Sequence, residues 1–145
     1  MCLKCHGKSK NKKIVLSDKG TSTQLTVDNE EALETIHKLI DGCIIKEGER
    51  CDHYLKITNG DNVSHLFVEL KGSDVEKAAK QIVTTIKSGC VTLNKNDKKH
   101  AAIVSTRNPL NSTETAKIKK KMLTQEKTYL HYYKMKAQEK ISKFS

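Results

Sequence analysis

Several features that would assign this chain to a common class are missing from its sequence. Its 145 residues contain no run of 18 or more apolar residues, so we expect no membrane-spanning helix. The N-terminus has no apolar segment typical of a secretory signal, which favours a cytoplasmic protein. We find no glycine-rich phosphate loop, no serine-nucleophile motif and no internal repeat. The length suits one domain with a modest core.

Cysteine chemistry is also poorly represented. Five cysteines, an odd number, fit reduced thiols better than a disulfide framework. Cys2 and Cys5 form a Cys-x-x-Cys pair followed by His6, but a structural zinc site needs four ligands. The other three cysteines stand singly and far apart in the sequence. We therefore interpret the thiols as buried or incidental, with metal binding by Cys2 and Cys5 as an open alternative.

The net charge of +10 is concentrated near the two ends of the sequence. Residues 1–13 contain five lysines and no acid, and residues 114–145 contain nine lysines against three glutamates. The residues between them are close to neutral. Basic flanks on a neutral core suit a polyanion partner such as nucleic acid. Lysine-rich surface that only improves solubility is the alternative.

The first third of the sequence predicts a basic arm, a hairpin and a helix. We expect residues 1–12 to be a flexible arm and residues 13–145 to form a single domain. Strands are predicted over 13–17 and 22–27, with turn residues between them. Helical spacing from Ala32 to Ile40, after a capping box at Asp28 and Glu31, predicts a first helix. Residues 36–45 also fit a continuous strand.

The rest of the sequence predicts three strands, a helix, a strand and a last long helix. A short strand over 43–45 precedes an antiparallel pair whose turn is Asn59-Gly60-Asp61-Asn62. The predicted elements from that pair onward are strands 50–57 and 65–71, a helix over 74–88, a strand over 101–105 and a basic C-terminal helix over 112–143. The apolar stripe of the last helix includes Ile118, Met122, Tyr129, Tyr133, Ala137 and Ile141. Its tyrosines, including Tyr132, fit a core better than stacking on bases.

One strand carries a motif with chemical meaning. The apolar strand 65–71 ends in Glu69-Leu70-Lys71, an acid–any–lysine triplet. Side chains alternate along a strand, so Glu69 and Lys71 share one face. The start of one hairpin strand lies beside the end of the other, which places Asp52 near Glu69. Two carboxylates beside a lysine can hold a divalent cation for phosphodiester hydrolysis. A second triplet, Asp97-Lys98-Lys99, falls in a predicted polar loop and is discounted.

This motif and order of elements resemble the PD-(D/E)xK, or restriction-endonuclease-like, nuclease superfamily over residues 28–106. The resemblance implies an α/β fold with an αβββαβ core and a mixed sheet, here with an N-terminal β-hairpin and a long C-terminal helix. It implies Mg²⁺ or Mn²⁺ bound by Asp52, Glu69 and the Leu70 carbonyl. It also implies catalytic roles for Lys71 and, on the following helix, Gln81. The expected activity is metal-dependent hydrolysis of nucleic acid, with DNA favoured over RNA.

The sequence does not choose between several candidate site residues and functions. The superfamily motif has a proline before the first acid, but no proline precedes Asp52 in this sequence. Asp41 is an alternative candidate for the first acid. Glu31 or Glu34 could supply the acid that many members carry on their first helix. His53 should alternate to the face opposite Asp52, and His37, His65, His100 and His131 show no metal-ligand spacing. The alternative functions are a non-catalytic nucleic-acid-binding module, or an interaction protein that docks or homodimerises through its C-terminal helix.

Overall fold

A computed structural model describes residues 6–18, 22–40, 52–70, 74–89, 91–106 and 112–145. Within these ranges neither helix is long and apolar enough to cross a bilayer. The elements in chain order are β1 (His6–Ser9), β2 (Lys13–Ser17), β3 (Gln24–Asp28), β4 (Glu34–Leu39), β5 (His53–Asn59), β6 (Asn62–Leu70), α1 (Val75–Lys87), β7 (Lys98–Ser105), α2 (Ser112–Glu126), β8 (Thr128–Lys134) and β9 (Lys136–Lys140), followed by a 3-10 turn (Ile141–Lys143).

The strands form two sheets. The large sheet is mixed and has the order β1-β4-β5-β6-β7-β8. Its first four strands pair antiparallel, and β6, β7 and β8 run parallel. The small sheet has the order β2-β3-β9, with β9 parallel to β3. The described residues therefore form an α/β structure that is mostly strand. This confirms the prediction of an α/β protein with a mixed sheet.

The large sheet is the middle of three layers, because its two faces bury different residues. One face packs on α1 and α2 through residues that include Phe67, Ile82 and Ile103. The other face packs on the small sheet through residues that include Leu25 and Leu66. Side chains alternate along each strand, so a residue's parity decides which layer it meets.

The predicted centre of the chain is confirmed. β5 and β6 form an antiparallel hairpin whose turn includes Gly60, where φ is +62° and glycine is favoured. α1 follows, and the side chain of its N-cap residue Asp74 accepts a hydrogen bond from the Lys77 N–H at 3.1 Å. β7 then pairs parallel with β6, which completes the expected βαβ crossover. The N-terminal hairpin is also confirmed, as β2 and β3.

The predicted first helix is wrong within the described residues. Asn29 closes a turn there: its Oδ1 accepts the Leu33 N–H and its Nδ2 donates to the Leu33 carbonyl, both at 2.8 Å. Residues 34–39 then form β4, which is hydrogen-bonded on both sides, to β1 and to β5. This ladder outweighs the helical spacing of the apolar residues. The alternative of a strand is borne out up to Leu39, and residues 41–51 lie outside the described part.

The predicted C-terminal helix over 112–143 is correct only in its first half. α2 ends at Glu126, and Lys127 adopts a φ of +52° while its N–H bonds to the Leu123 carbonyl. The chain then forms β8 and β9 instead of further helical turns. Residues rich in Thr and Tyr follow the helix, and such residues favour a strand beside β7.

The flexible basic arm expected over residues 1–12 is also corrected in part. Residues 6–9 form β1, which pairs with β4 at the edge of the large sheet. Lys8 belongs to this strand, and its ammonium lies 3.3 Å from the Glu34 carboxylate. Residues 1–5, with Cys2 and Cys5, lie outside the described part.

Candidate functional site

Two buried carboxyl groups meet at the carboxyl end of β6. The register that pairs His53 with Val68 places Asp52 opposite Glu69, on the face that packs against the helices. The two carboxyl groups lie within hydrogen-bonding reach of each other. Asp52 is 8% exposed and Glu69 is 7% exposed. The structure therefore brings together the two acids that the sequence singled out, while their catalytic roles remain predictions.

Main-chain hydrogen bonds fix Asp52 from both neighbouring strands. The Leu70 N–H donates to Asp52 Oδ2 at 2.7 Å. The Asp52 N–H donates to the Val68 carbonyl, and the Ile40 N–H donates to the Asp52 carbonyl, each at 3.0 Å. A carboxylate held in this way loses little further freedom when it binds a cation, which favours binding.

The acid pair is electrostatically unfavourable when both groups are ionised. Burial raises the pKa of Asp52 above its ordinary value, and the nearby charge of Asp18 adds to the rise. Hydrogen bonds from Glu69 and from the Leu70 N–H, together with His53, oppose the rise without cancelling it. Two adjoining buried carboxyl groups favour either a shared proton or a bound cation.

The donor set of this pair fits a hard divalent cation. Among the residues that the structure describes, no group of three or more His, Cys, Asp or Glu side chains could hold a metal ion. The pair would thus supply two carboxylates. Mg²⁺ is commonly bound by one or two carboxylates while it keeps several waters, so two acids are sufficient. Their oxygens also suit Mn²⁺.

The remaining predicted site residues are placed unevenly. Lys71 and Asp41 lie outside the described residues. Gln81 is half-buried on α1. Its catalytic role remains a prediction.

The candidate acids from the expected first helix lie at the wrong end of the large sheet. Glu34 begins β4 opposite Thr58, whereas Leu39 lies opposite His53 near Asp52. Five residue steps along β4 separate Glu34 from Leu39, a distance of about 17 Å. Glu31 lies in the turn that precedes β4, at the same far end. Neither can join Asp52 and Glu69 in this fold.

Comparisons with known proteins add no assignment. No family model matches this chain, and no curated protein or solved structure matches it. Any functional assignment therefore depends on the chemistry of its residues.

A chain of hydrogen bonds lies behind Asp52, on the opposite face of the sheet. His53 Nε2 lies 2.9 Å from Asp18 Oδ1, and His53 Nδ1 lies 2.8 Å from His37 Nε2. The prediction that His53 faces away from Asp52 is confirmed, since it meets Asp18 at the end of β2. These hydrogen bonds join the two sheets at the end that carries the acid pair. Spacing along the sequence gave no signal for them, because the residues involved come from three separate strands.

Two further histidine clusters were missed for the same reason. Tyr54 Oη lies 2.5 Å from His65 Nδ1, and His65 Nε2 lies 2.7 Å from Asp97 Oδ2. Asp97 belongs to the second acid–any–lysine triplet, Asp97-Lys98-Lys99, which the sequence analysis set aside. Its hydrogen-bond partner is the buried His65. In the layer between the sheets, His100 Nδ1 lies 3.1 Å from His131 Nε2. These contacts tie loops and strand ends to the core.

We expect His100 to make the protein sensitive to acid. Burial, together with the charges of His131 and Lys98, lowers the pKa of His100 to about 4. A depressed histidine pKa gives stability that is present above pH 6.5 and is lost as the pH falls towards 4. The loss from this group is about 3 kcal/mol at pH 4. Urea denaturation of the wild type and of His100→Leu, at pH 7 and pH 4, should show a smaller acid loss in the variant.

The pKa of His37 is likewise lowered to about 4, by burial and by His53, so His100→Leu should retain part of the acid loss. Lys98 and His131 face His100 and are unchanged in this variant. If the wild type and His100→Leu lose the same free energy between pH 7 and pH 4, His100 is not a source of the acid sensitivity.

We also expect Asp52→Asn to stabilise the metal-free protein at neutral pH. The raised pKa of Asp52 means that its contribution to stability is present at low pH and is lost as the pH rises through the folded-state value. The asparagine carbonyl can still accept the Leu70 N–H and carries no charge. Urea denaturation in EDTA should show a gain at pH 7 that shrinks towards pH 3. A loss of stability at pH 7 would contradict the electrostatic argument.

Proposed function

We propose that this chain is a metal-dependent nuclease of the PD-(D/E)xK type. The observation that carries the proposal is the buried pair of carboxyl groups of Asp52 and Glu69, where a single divalent cation could replace a shared proton. The pair stands at the start of one strand and the end of the next, as the superfamily motif requires. The following residue in the motif is Lys71.

The strand topology supports the same proposal. β4, β5 and β6 are consecutive antiparallel strands, α1 follows, and β7 returns parallel to β6. This is the βββαβ part of the superfamily's αβββαβ core. The first helix of that core is missing from the described residues, where β4 is preceded by a turn. A restriction-endonuclease-like fold is thus part of the proposal and depends on five of its six elements.

The residues have distinct roles in the proposed reaction. Asp52 and Glu69 would hold Mg²⁺, with the Leu70 carbonyl as a further oxygen ligand. When bound, the ion polarises the scissile phosphate and lowers the pKa of a coordinated water. The Leu70 N–H keeps Asp52 oriented, and both acids must be ionised to bind the ion. Lys71 would offset the negative charge that develops on the phosphoryl oxygens.

The positive charge of the chain fits a nucleic-acid substrate. All four lysines within α2 are exposed (Lys117, Lys119, Lys120 and Lys121). DNA is proposed in preference to RNA because most of the superfamily acts on DNA. We also propose a homodimer and a cytoplasmic location.

The test is cleavage by the purified protein. Plasmid, linear duplex and single-stranded DNA, with RNA alongside, are incubated with Mg²⁺, with Mn²⁺ or with EDTA. We expect cleavage in either metal and none in EDTA, with products that carry a 5′-phosphate. Asp52→Asn and Lys71→Ala should both remove the activity. Binding without cleavage in every metal would favour a nucleic-acid-binding module and would overturn the proposal.

Metal binding can be measured without cleavage. Mg²⁺ that binds only the folded protein stabilises it by about 2.7 kcal/mol at 100 times the dissociation constant. We expect Mg²⁺ to raise the melting temperature of the wild type and to leave that of Asp52→Asn unchanged. Equal shifts in both proteins would mean that the ion binds elsewhere.

A further inference from the structure

Lys134 lies on the same face and at the same end of the large sheet as the acid pair. Glu69 is opposite Ile103 in the β6–β7 register, and Ile103 is opposite Tyr132 in the β7–β8 register. Tyr132 packs in the cluster beneath the helices, as Ile103 does. Lys134 is two residues further along β8, so alternation returns it to that face. It is therefore one pleat beyond Glu69 and two strands away.

The main chain around Lys134 is tightly fixed. Lys134 pairs with Ser105 in the parallel ladder between β7 and β8. The Met135 N–H then donates to the Ser105 carbonyl at 2.7 Å, and the Met135 carbonyl accepts the Gln24 N–H at 3.1 Å. Met135 has a φ of +57°, where the chain passes from the large sheet to the small one. Lys134 is thus presented from a rigid position and not from a loop.

The ammonium group of Lys134 is available to an anion. Lys134 is exposed, and among the described residues no carboxylate lies within ion-pairing distance of it. The carboxyl ends of β6 and β7 point to this rim, and α1 begins after the first of them.

The separation from the acid pair suits a strand of nucleic acid. Two strand spacings of about 4.8 Å and two residue steps of about 3.3 Å place the Cα of Lys134 about 12 Å from that of Glu69. Successive phosphates of one strand advance by about 3.4 Å along a duplex axis. The two positions therefore lie a few nucleotides apart along a bound strand.

We propose that Lys134 binds a backbone phosphate of the substrate a few nucleotides from the cleaved bond, on a path that runs from Asp52 and Glu69 across β7 to β8. This inference rests on the proposed nuclease function for the location of the cleaved bond. Lys134 is a substrate-binding residue in it, and the contact is independent of base sequence because it reaches only phosphate.

The chain supplies a matched control two residues away. Lys136 is exposed and begins β9, where Ala137 packs into the core, so Lys136 faces outward from the small sheet. Lys134→Glu and Lys136→Glu make the same change in net charge. A non-specific effect of charge would weaken nucleic-acid binding equally in both.

The experiment measures binding in a Glu69→Ala background, so that cleavage does not interfere. Fluorescence anisotropy of labelled 20-nucleotide single-stranded and duplex DNA is recorded in EDTA over a range of salt concentrations. We expect Lys134→Glu to weaken binding by about tenfold or more, as for loss of a charge-assisted contact. It should also reduce the slope of log affinity against log salt by about 1. Lys136→Glu should change the affinity by less than about threefold.

Equal losses in the two variants, or no loss in Lys134→Glu, would overturn the inference. Thermal melting of each variant shows whether it is folded, and Lys134→Gln provides a milder version of the same change. Failure of the nuclease proposal is a separate result: wild-type protein that binds DNA through Lys134 but does not cut it in Mg²⁺ or Mn²⁺. Cleavage that persists while Lys134→Glu binds normally would instead leave the nuclease proposal intact.

Discussion

Glu69→Gln should reduce Mg²⁺-dependent cleavage by about 10³-fold or more. The side chain keeps its size but loses the charge that would hold the cation with Asp52 at the end of β6. A metal ion contributes several kcal/mol to the stabilisation of transition-state charge, and each 1.36 kcal/mol corresponds to a tenfold change in rate. Single-turnover cleavage of labelled DNA, with enzyme in excess, measures the chemical step directly.

Glu34→Gln is the matched control for this variant. It makes the same chemical change on the same sheet, but Glu34 lies at the far end of β4 and forms an exposed ion pair with Lys8. We expect it to cleave within about twofold of the wild type, because exposed ion pairs contribute little. Equal cleavage by Glu69→Gln and the wild type would show that the activity comes from a contaminant or from another site.

Phe144→Ala should lower the free energy of unfolding by about 3–5 kcal/mol, the usual cost of removing a buried phenylalanine side chain. Phe144 is fully buried and packs between the sheets with Leu25 and Leu66. Its ring meets the rings of His100 and His131 edge-on, with centroids 5.9 and 5.3 Å away. Urea denaturation followed by circular dichroism gives the change directly.

Leu123→Ala is the control for this prediction. Leu123 is a large apolar residue on α2 that is 43% exposed, so its truncation should change stability by about 0.5 kcal/mol or less. A loss in Phe144→Ala as small as that in Leu123→Ala would show that Phe144 does not pack between the sheets.

The sequence predicted the middle of the fold well because its local signals agree. A glycine turn with a strand on each side specifies the β5–β6 hairpin, and a capped amphipathic pattern specifies α1. Once that hairpin is accepted, pairing geometry alone brings Asp52 beside Glu69. The convergence of the acids therefore required no knowledge of long-range contacts.

The first predicted helix and the second half of the last one are wrong for one shared reason. Tyr129, Tyr133, Ala137 and Ile141 are spaced four apart, which fits one face of a helix and equally fits one face of a strand with its period of two. Neighbouring strands decided between the two readings, because β7 offered an edge to β8 and β3 offered one to β9. Neighbouring strands also decided the conformation of β4, which pairs with β1 on one side and with β5 on the other. Edges supplied by distant segments are not visible in a local window of sequence.

The small sheet joins parts of the chain that are distant in sequence. Asp28 on β3 and Gln138 on β9 are 110 positions apart, and the Gln138 amide donates to the Asp28 carboxylate at 2.6 Å. A ribosome must therefore synthesise beyond Lys140 before the early β2–β3 hairpin gains its third strand. Until then the hydrogen-bonding edge of β3 has no partner strand, and an unpaired strand edge makes a partly synthesised chain prone to associate with other chains.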